Sequence, residues 1–320
     1  VLAADSTGVL NGRRTLKPMR REDGSYPLAR IADWPDQAWR AFHLIAYSPS
    51  NMPVIKRIIH EFLGPAKANA FIFEIDYNFA YKSHPEMAPA DAWTKEQIRE
   101  VVAEAASEGI RVIPEVNSLG HQSWKTPPDT LLRTHSEFEE PPDLADPKGN
   151  LGSPGFYCRS WCPAHPDVHP FVFDLYDELI DAFQSSAFHV GMDEVFVIGS
   201  PSCPRCRGKK PAELYASAVN AIHAHLAKRN QKMMMWADRF LNATMTGYGE
   251  WEASGNGTDP AIDLVPKDIL MCDWHYTYRG DYPSIDVFSS KGFSILTTTY
   301  ESPEGARAFM EAGRDLKGSR

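Results

Sequence analysis

The sequence contains no long apolar run, and its basic residues are fewer than its acidic ones. No stretch approaches the ~18 consecutive apolar residues that a membrane-spanning helix needs, so we expect no membrane segment. The 33 lysines and arginines are outnumbered by 42 aspartates and glutamates, which gives a formal charge of −9. This balance argues against nucleic acid or an anionic membrane as a partner. The basic cluster at residues 205–210 is too short to change that conclusion.

Internal repeats and low-complexity tracts are also missing, and the first residue is Val1 rather than methionine. The opening letters VLAAD fit either the end left by a processed signal peptide or an arbitrary boundary. The first alternative predicts a secreted or periplasmic protein. A chain of 320 residues, 43% of them hydrophobic, suits one large domain or two ordinary ones. The sequence carries no signal for the oligomeric state.

An apolar strand followed by an amphipathic helix is the unit that recurs along the chain. The pattern predicts strands over residues 39–47, 69–76, 110–117, 187–194, 232–239, 269–276 and 293–300. The clearest helix between them begins with a capping pair, Thr94 and Gln97, and ends at Gly109. Near-continuous apolar strands that alternate with helices are typical of a parallel sheet covered by helices.

Polar and aromatic residues cluster at the carboxyl ends of these predicted strands. A (β/α) barrel builds its active site along that whole edge, whereas an open doubly wound sheet binds ligands only around a switch point. We therefore predict the α/β class and a TIM-type (β/α)8 barrel over residues 31–320. Residues 1–30 would be an N-terminal extension or the remnant of another domain. Only seven strands are found, so an eighth strand is expected to be missing from this chain.

Two adjacent carboxylates, Asp193 and Glu194, end the fourth predicted strand in the stretch FHVGMDEVF. Buried acids are costly unless they are paired or hydrogen-bonded. Neighbouring residues of a strand point to opposite faces, so we expect the two carboxylates to have different roles. The alternative is a helix cap beside a surface acid.

The stretch HVGMDE resembles the His-x-Gly-Gly-Asp-Glu signature of the glycoside hydrolase family 20 β-N-acetylhexosaminidases. Four further segments are similar to the family in the same order, namely WRAFHL, IRVIPEVNSLGHQSW, CPAHPDVHPFVFDLYDELIDAF and MMMWADRF. The resemblance implies an enzyme that releases terminal β-linked N-acetylglucosamine or N-acetylgalactosamine from an N-acetylhexosamine-containing oligosaccharide or glycan. It implies no cofactor for catalysis.

The same resemblance implies how the acids act. In this family the substrate's acetamido oxygen is the nucleophile, whereas most glycosidases place two carboxyl groups across the sugar. Glu194 would be the general acid and then the base that activates water. Asp193 would hold the acetamido N–H and stabilise an oxazolinium-type intermediate. Tyr300 would donate a hydrogen bond to the acetamido carbonyl oxygen.

Five more residues are candidates for substrate binding or for support of the acids. The resemblance implies that Arg40 holds sugar hydroxyls, with a structural ion pair as the alternative. Asp76 and His121 would support Glu194 through hydrogen bonds, unless His121 is an ordinary core histidine. Trp236 and Trp274 would line the sugar site, because aromatic rings suit the apolar face of a sugar. Core packing is the alternative for both tryptophans.

Departures from the family pattern keep two rival hypotheses open. Met192 stands where the signature has its second glycine, and Asn117 stands where the family has an aspartate. Glu301 follows Tyr300 and is counted among the substrate-binding residues, but it could instead be the nucleophile of a retaining glycosidase. The missing eighth strand allows a catalytically inactive sugar-binding barrel.

Cysteines are few, and four of the five form two closely spaced pairs. Cys158 and Cys162 lie in CRSWC, and Cys203 and Cys206 lie in CPRC. Both pairs are expected on the catalytic rim, where they could bind a structural zinc ion. Disulfides, which an exported protein would favour, and free thiols are the alternatives. Cys272 lies inside a predicted strand and is expected to be a buried apolar residue.

Overall fold

Seven parallel strands form one sheet in the computed structural model, which describes residues 5–35, 37–123, 129–141 and 158–314. The spatial order of the strands equals their order in the chain. The strands are β1 (Ala41–Ile45), β2 (Ala70–Glu74), β3 (Arg111–Ser118), β4 (Ala187–Gly191), β5 (Lys232–Trp236), β6 (Leu270–Trp274) and β7 (Ser294–Thr298). All seven predicted strands are confirmed, and every neighbouring pair is parallel.

This topology is that of a (β/α)8 barrel that lacks one strand. Strands β1 and β7 are the two edges of the sheet. Across the described ranges no strand bridges β7 to β1, so the barrel is open on one side. The prediction of an α/β barrel with an absent eighth strand is confirmed.

In the described part of the chain, ten α-helices connect the strands or flank them. They are α1 (Ser6–Leu16), α2 (Met52–Arg57), α3 (Lys95–Ser107), α4 (Thr130–Thr134), α5 (Val168–Phe183), α6 (Pro211–Lys228), α7 (Ala243–Thr246), α8 (Gly249–Glu252), α9 (Pro283–Ser290) and α10 (Pro303–Arg314). Helix α3 begins with the predicted capping box, in which Thr94 and Gln97 bond to each other's backbone N–H. Gly109 follows it with a φ of 69°, as its predicted role at the helix end requires.

Alternate residues of each strand face either the helices or the concave side of the sheet. Phe71 and Phe73 of β2 join the large core between sheet and helices, whereas Ala70 and Ile72 join a smaller apolar cluster on the concave side. Cys272 is fully buried in that smaller cluster. This confirms the prediction that it is a buried apolar residue. One step further along the strands, the concave face changes from apolar to polar side chains.

All strands except β3 end earlier than the apolar pattern predicts, and the residues beyond them form much of the polar edge. Strand β2 ends two residues before Asp76, and β4 ends two residues before Asp193. Asp76 and Glu194 have φ values of 47° and 46°, in the left-handed region that a strand excludes. These residues therefore lie on turns at the carboxyl edge rather than within the sheet.

The N-terminal segment contacts the outer surface of the sheet and helices. Arg14 of α1 forms an ion pair with Glu108 and donates a hydrogen bond of 3.0 Å to the Glu108 carbonyl. Lys67 donates to Thr15 at 2.6 Å and pairs with Asp33. The domain boundary at residue 30 stays a prediction. Within the described residues, every helix is too short or too polar to cross a bilayer.

Candidate active site

The two adjacent acids meet at one histidine on the carboxyl edge of the sheet. His121 Nε2 lies 3.0 Å from Asp193 Oδ2 and 3.0 Å from Glu194 Oε2. His121 is 5% exposed and Glu194 is 8% exposed, so these charges are largely shielded from water. The sequence expectation that the acids face opposite sides is wrong. The strand has already ended, and Met192 and Glu194 have positive φ values of 78° and 46°, which removes the strand alternation.

His121 carries the charge that compensates the acids. Burial alone would lower the pKa of the imidazole, but the Asp193 carboxylate and its hydrogen bond outweigh burial and hold that pKa well above its usual value. His121 is therefore a cation at neutral pH. This position confirms the predicted contact between His121 and Glu194.

Two glycines let the loops that carry these residues approach each other. A Cβ atom at Gly120 would lie 2.5 Å from the backbone oxygen of Asp193 and 3.0 Å from a methyl group of Val195. A Cβ atom at Gly191, where φ is 63°, would lie 2.5 Å from Asn117 Oδ1. The segment that ends in His121 can reach the acids only because position 120 has no side chain.

Cys158 completes the cluster and is not grouped with the other cysteines of the predicted zinc site. Its sulfur lies 3.2 Å from His121 Nδ1 and 3.3 Å from Glu194 Oε2. Burial raises the pKa of this thiol to about 12, so the thiol stays neutral and donates to Oε2 of the Glu194 carboxyl group. The prediction of Cys158 as a partner of the other three cysteines is thus corrected. Its hydrogen-bonding neighbours are His121 and Glu194.

Glu194 is also positioned through its backbone. Its N–H donates to Asp238 Oδ2 at 3.0 Å, and Arg239 Nε donates to the same oxygen at 2.6 Å. Asp238 and Arg239 are 2% and 1% exposed. Burial raises the pKa of Asp238 to about 6, although the Arg239 charge opposes that rise. The loop after β5 thereby fixes the acid carried by the loop after β4.

A buried ionic network lies on the concave face beneath the acid pair. His43 Nε2 lies 2.9 Å from Glu74 Oε2 and 3.0 Å from Glu115 Oε2, and His189 Nδ1 lies 3.0 Å from Glu115 Oε1. Burial would lower the pKa of His43, but the two glutamates raise it to about 10. Although burial opposes it, the nearby His189 and His43 hold the pKa of Glu115 below its usual value.

Sequence reasoning missed this network. The sequence does indicate it, because each of four apolar strands carries a single acid or histidine. The four stretches are FHLI, FIFE, VIPE and FHVG. Buried acids of this kind need partners, but the sequence does not show which strands bring them together.

The aromatic residues form one wall of the site. Trp236 Nε1 donates to Glu115 Oε1 at 2.8 Å, and Trp236 is 9% exposed. Trp274 is 8% exposed, and its Nε1 has no hydrogen-bond partner among the described residues. Tyr276 lies 5.1 Å from Trp274 and 5.5 Å from Tyr300 by ring centroids. Burial, followed by the charges of Asp193 and Glu194, raises the pKa of Tyr276, so this residue, which was not predicted, belongs to the site.

An open cavity of about 1210 Å³ runs along the gap between β1 and β7. Its lining at the carboxyl edge combines acids, histidines and aromatic rings: His43, Glu74, Asn117, His121, Asp193, Trp236, Trp274, Tyr276 and Tyr300. A cavity with apolar walls and a few converging polar groups is the usual form of a small-molecule site. The structure thus brings together most of the predicted site residues.

Arg40 lines the same cavity but lies away from its carboxyl edge. It precedes β1, so roughly 13 Å of strand separates it from the carboxyl edge. Its guanidinium donates to the backbone oxygens of Lys67 at 2.8 Å and Gln37 at 2.7 Å. These contacts do not support the prediction that Arg40 holds sugar hydroxyls, which stays a prediction. Arg40 fixes the chain at the amino end of the sheet.

Asp76, Tyr300 and Glu301 occupy the rim in different ways. Asp76 accepts from the backbone N–H of Asn117 at 2.8 Å, so its contact is with the end of β3. Tyr300 is 59% exposed, and a hydrogen bond with Glu301 raises its pKa. Glu301 is exposed, with a φ of 60°.

A model of the family described as glycosyl hydrolase family 20, catalytic domain, matches residues 68–301 of the chain. A β-hexosaminidase of Vibrio furnissii is 27% identical over 305 residues, which cover 85% of this chain and 46% of that protein. A β-hexosaminidase of Akkermansia muciniphila is 29% identical over 219 residues, which cover 64% of this chain and 42% of that protein. The chain thus spans less than half the length of either relative.

Solved structures show the same fold. Flavobacterium johnsoniae chitobiase matches with a TM-score of 0.72 and 21% identity, covering 98% of this chain and 47% of that one. An exo β-N-acetylglucosaminidase from Vibrio harveyi, solved with N-acetylglucosamine, matches with a TM-score of 0.65 and 19% identity. The match covers 92% of this chain and 47% of that one.

We expect Gly120→Ala to lower the free energy of unfolding by about 1–3 kcal/mol, because the added methyl group would overlap the Asp193 backbone oxygen. Gly280→Ala is the matched control, since nothing lies within 4 Å of a Cβ atom there. Urea unfolding of both variants measures the difference. Equal stabilities would contradict the close approach described here.

We also expect the His43 network to make stability depend on alkaline pH. The pKa of His43 is raised from 6.5 to about 10, so its contribution is complete below 6.5 and is lost as the pH rises through 10. The free energy of unfolding of the wild type should therefore fall more steeply between these pH values than that of His43→Gln. Glu115→Gln, which removes the main partner, should flatten the same slope. Parallel slopes in all three proteins would argue against the ion pair.

Proposed function

Since the chain belongs to glycosyl hydrolase family 20, we propose that it hydrolyses terminal β-linked N-acetylhexosaminides with retention of configuration. The proposed substrates are oligosaccharides or glycans that end in N-acetylglucosamine or N-acetylgalactosamine. No cofactor is proposed for the reaction. The secreted or periplasmic location stays a prediction.

The observation that carries the proposal is the shared contact of Asp193 and Glu194 with His121. Two acids held at one imidazolium lie on the same side of the cavity, whereas a protein nucleophile and an acid flank the sugar from opposite sides. A nucleophile from the substrate itself fits this arrangement. The other oxygen of Asp193, Oδ1, is buried and has no hydrogen-bond partner among the described residues. We propose that the acetamido N–H donates to this oxygen, which would satisfy the buried acceptor.

The proposed reaction has two steps. In the first, Glu194 enters as the neutral carboxylic acid. The acetamido carbonyl oxygen forms a bond to the anomeric carbon while the glycosidic bond breaks, and Glu194 gives its proton to the leaving oxygen. Asp193 stabilises the positive charge that spreads onto the oxazolinium-type ring. In the second step, Glu194 accepts a proton from water as the water oxygen attacks the anomeric carbon and reopens the ring.

Three aromatic residues support substrate binding in this proposal. Trp274 offers an unpartnered buried N–H among the described residues, and Trp236 presents a ring fixed by its bond to Glu115. Tyr300 is proposed as the donor to the acetamido carbonyl oxygen, with Tyr276 packed against its edge.

Replacement of either acid should separate their roles. Glu194→Gln should lower kcat roughly 10²–10⁴-fold on aryl N-acetylhexosaminides with poor leaving groups, and less on activated ones that need no proton. Asp193→Ala should impair acetamido substrates while any weak activity on the matching glucosides is kept. Glu311→Gln, an exposed acid on α10, is the control and should behave like the wild type.

Wild-type rates in both Asp193 and Glu194 variants would contradict the mechanism. Inhibition by a thiazoline analogue of the intermediate is the expected result for a substrate nucleophile. Covalent labelling of Glu301 by a fluorosugar would instead establish a protein nucleophile. Saturable sugar binding without turnover would establish an inactive barrel.

Loss of the Tyr300 hydroxyl should also slow the reaction. Tyr300→Phe should lower kcat by roughly 10²-fold, the typical effect of losing one donor to a developing charge. Tyr278→Phe is the matched control, because Tyr278 is comparably exposed at 56%. Equal rates for the two variants would remove Tyr300 from the mechanism.

A further inference from the structure

We propose that Glu140, Cys162, Cys203 and Cys206 bind a structural zinc ion that joins the loop after β3 to the loop after β4. One ligand atom from each residue lies within 4.8 Å of all the others. The site is separate from the acid pair, and its test does not depend on the proposed hydrolase activity.

The sulfur positions match a metal site better than a disulfide. Cys162 Sγ lies 3.6 Å from Cys203 Sγ and 3.4 Å from Cys206 Sγ. Tetrahedral zinc with bonds of about 2.3 Å to sulfur places the sulfurs roughly 3.8 Å apart. A disulfide needs about 2.05 Å. The three thiols therefore surround a common point rather than forming a bonded pair.

Glu140, the fourth residue of the cluster, supplies a carboxylate oxygen that could bind the ion. Glu140 Oε1 accepts from the backbone N–H of Ser200 at 2.9 Å. Glu140 Oε2 is buried without a hydrogen-bond partner in the described part of the chain. A buried carboxylate oxygen in that state is costly unless a cation or donor reaches it.

Burial adds to the same argument. Cys162 and Cys206 are fully buried, and Glu140 and Cys203 are each 1% exposed. One divalent cation at the centre of this buried group would stabilise the thiolates and the carboxylate together.

The backbone already holds the ligands in place. Cys203 and Cys206 lie in a turn in which Arg207 N–H donates to the Cys203 carbonyl at 2.9 Å. Cys162 N–H donates to the Phe138 carbonyl at 2.6 Å, which fixes it beside the strand bridge between Glu139 and Trp161. Such pre-positioned ligands lower the entropy cost of binding an ion.

This ligand set corrects the sequence prediction at one position. Cys158 was expected as the fourth ligand, but its sulfur contacts His121 and Glu194 instead. Glu140 takes its place. The ion would still affect the acid pair, because Cys162 anchors the same short segment that presents Cys158 to Glu194.

The test measures zinc in the purified chain directly. Protein expressed in zinc-supplemented medium and desalted should release about one zinc ion per chain when its thiols are modified in denaturant, as detected with a chromogenic chelator. Cobalt substitution should give thiolate-to-metal charge-transfer bands and the intense d–d bands of a tetrahedral site. All five cysteines should titrate as thiols once the metal is removed.

Single substitutions identify the ligands. Cys203→Ser and Cys206→Ser should lose the zinc, and Glu140→Gln should weaken its retention against a competing chelator. Cys272→Ser and Cys158→Ser are the matched controls and should retain about one ion.

Several outcomes would overturn the proposal, and the first two need no variant to fold. The first is that the wild-type protein contains no zinc. The second is that fewer than five thiols titrate in the absence of reductant. The third is that Cys158→Ser loses the zinc while Glu140→Gln retains it fully.

Discussion

The protonated imidazole of His121 makes the acidic edge of this sheet possible. Two neighbouring carboxyl groups in a site shielded from water are costly unless a cation or hydrogen-bond donors reach them. His121 lies 3.0 Å from an oxygen of each and supplies the opposite charge. Its own position depends on Gly120, which lets the loop after β3 touch the backbone of Asp193. The loops after two neighbouring strands are thus joined through one charge.

A second group of buried acids is also held by histidines, closer to the middle of the sheet. His43 and His189 hold Glu115 as His121 holds the acid pair, and Trp236 donates to the same carboxylate. The concave face therefore has an apolar layer near the amino ends of the strands and two ionic layers near the carboxyl ends. Each ionic layer fixes side chains from several strands, which gives the edge a rigid base even though the barrel is open on one side.

The sequence predicts the sheet well because strand cores are local apolar runs, and all seven were placed correctly. It also predicts Asp193, Glu194 and His121, because these residues lie in stretches that resemble a known family. Contacts between strands are harder to predict, so the network around Glu115 was missed. The sequence placed Arg40 at the start of the first strand, but it did not show that the guanidinium donates to the backbone oxygens of Lys67 and Gln37. Glu140 was missed because it is far in sequence from the cysteines that it joins.

Glu194 has a φ of 46°, a backbone conformation that costs a non-glycine residue of the order of 1–3 kcal/mol. Glycine and asparagine adopt that conformation far more easily, but neither carries a carboxyl group. The strained turn is what brings the Glu194 side chain within 3.0 Å of His121 and 3.3 Å of Cys158. Backbone strain at one residue is thus offset by contacts of its own side chain, which a glycine there could not make.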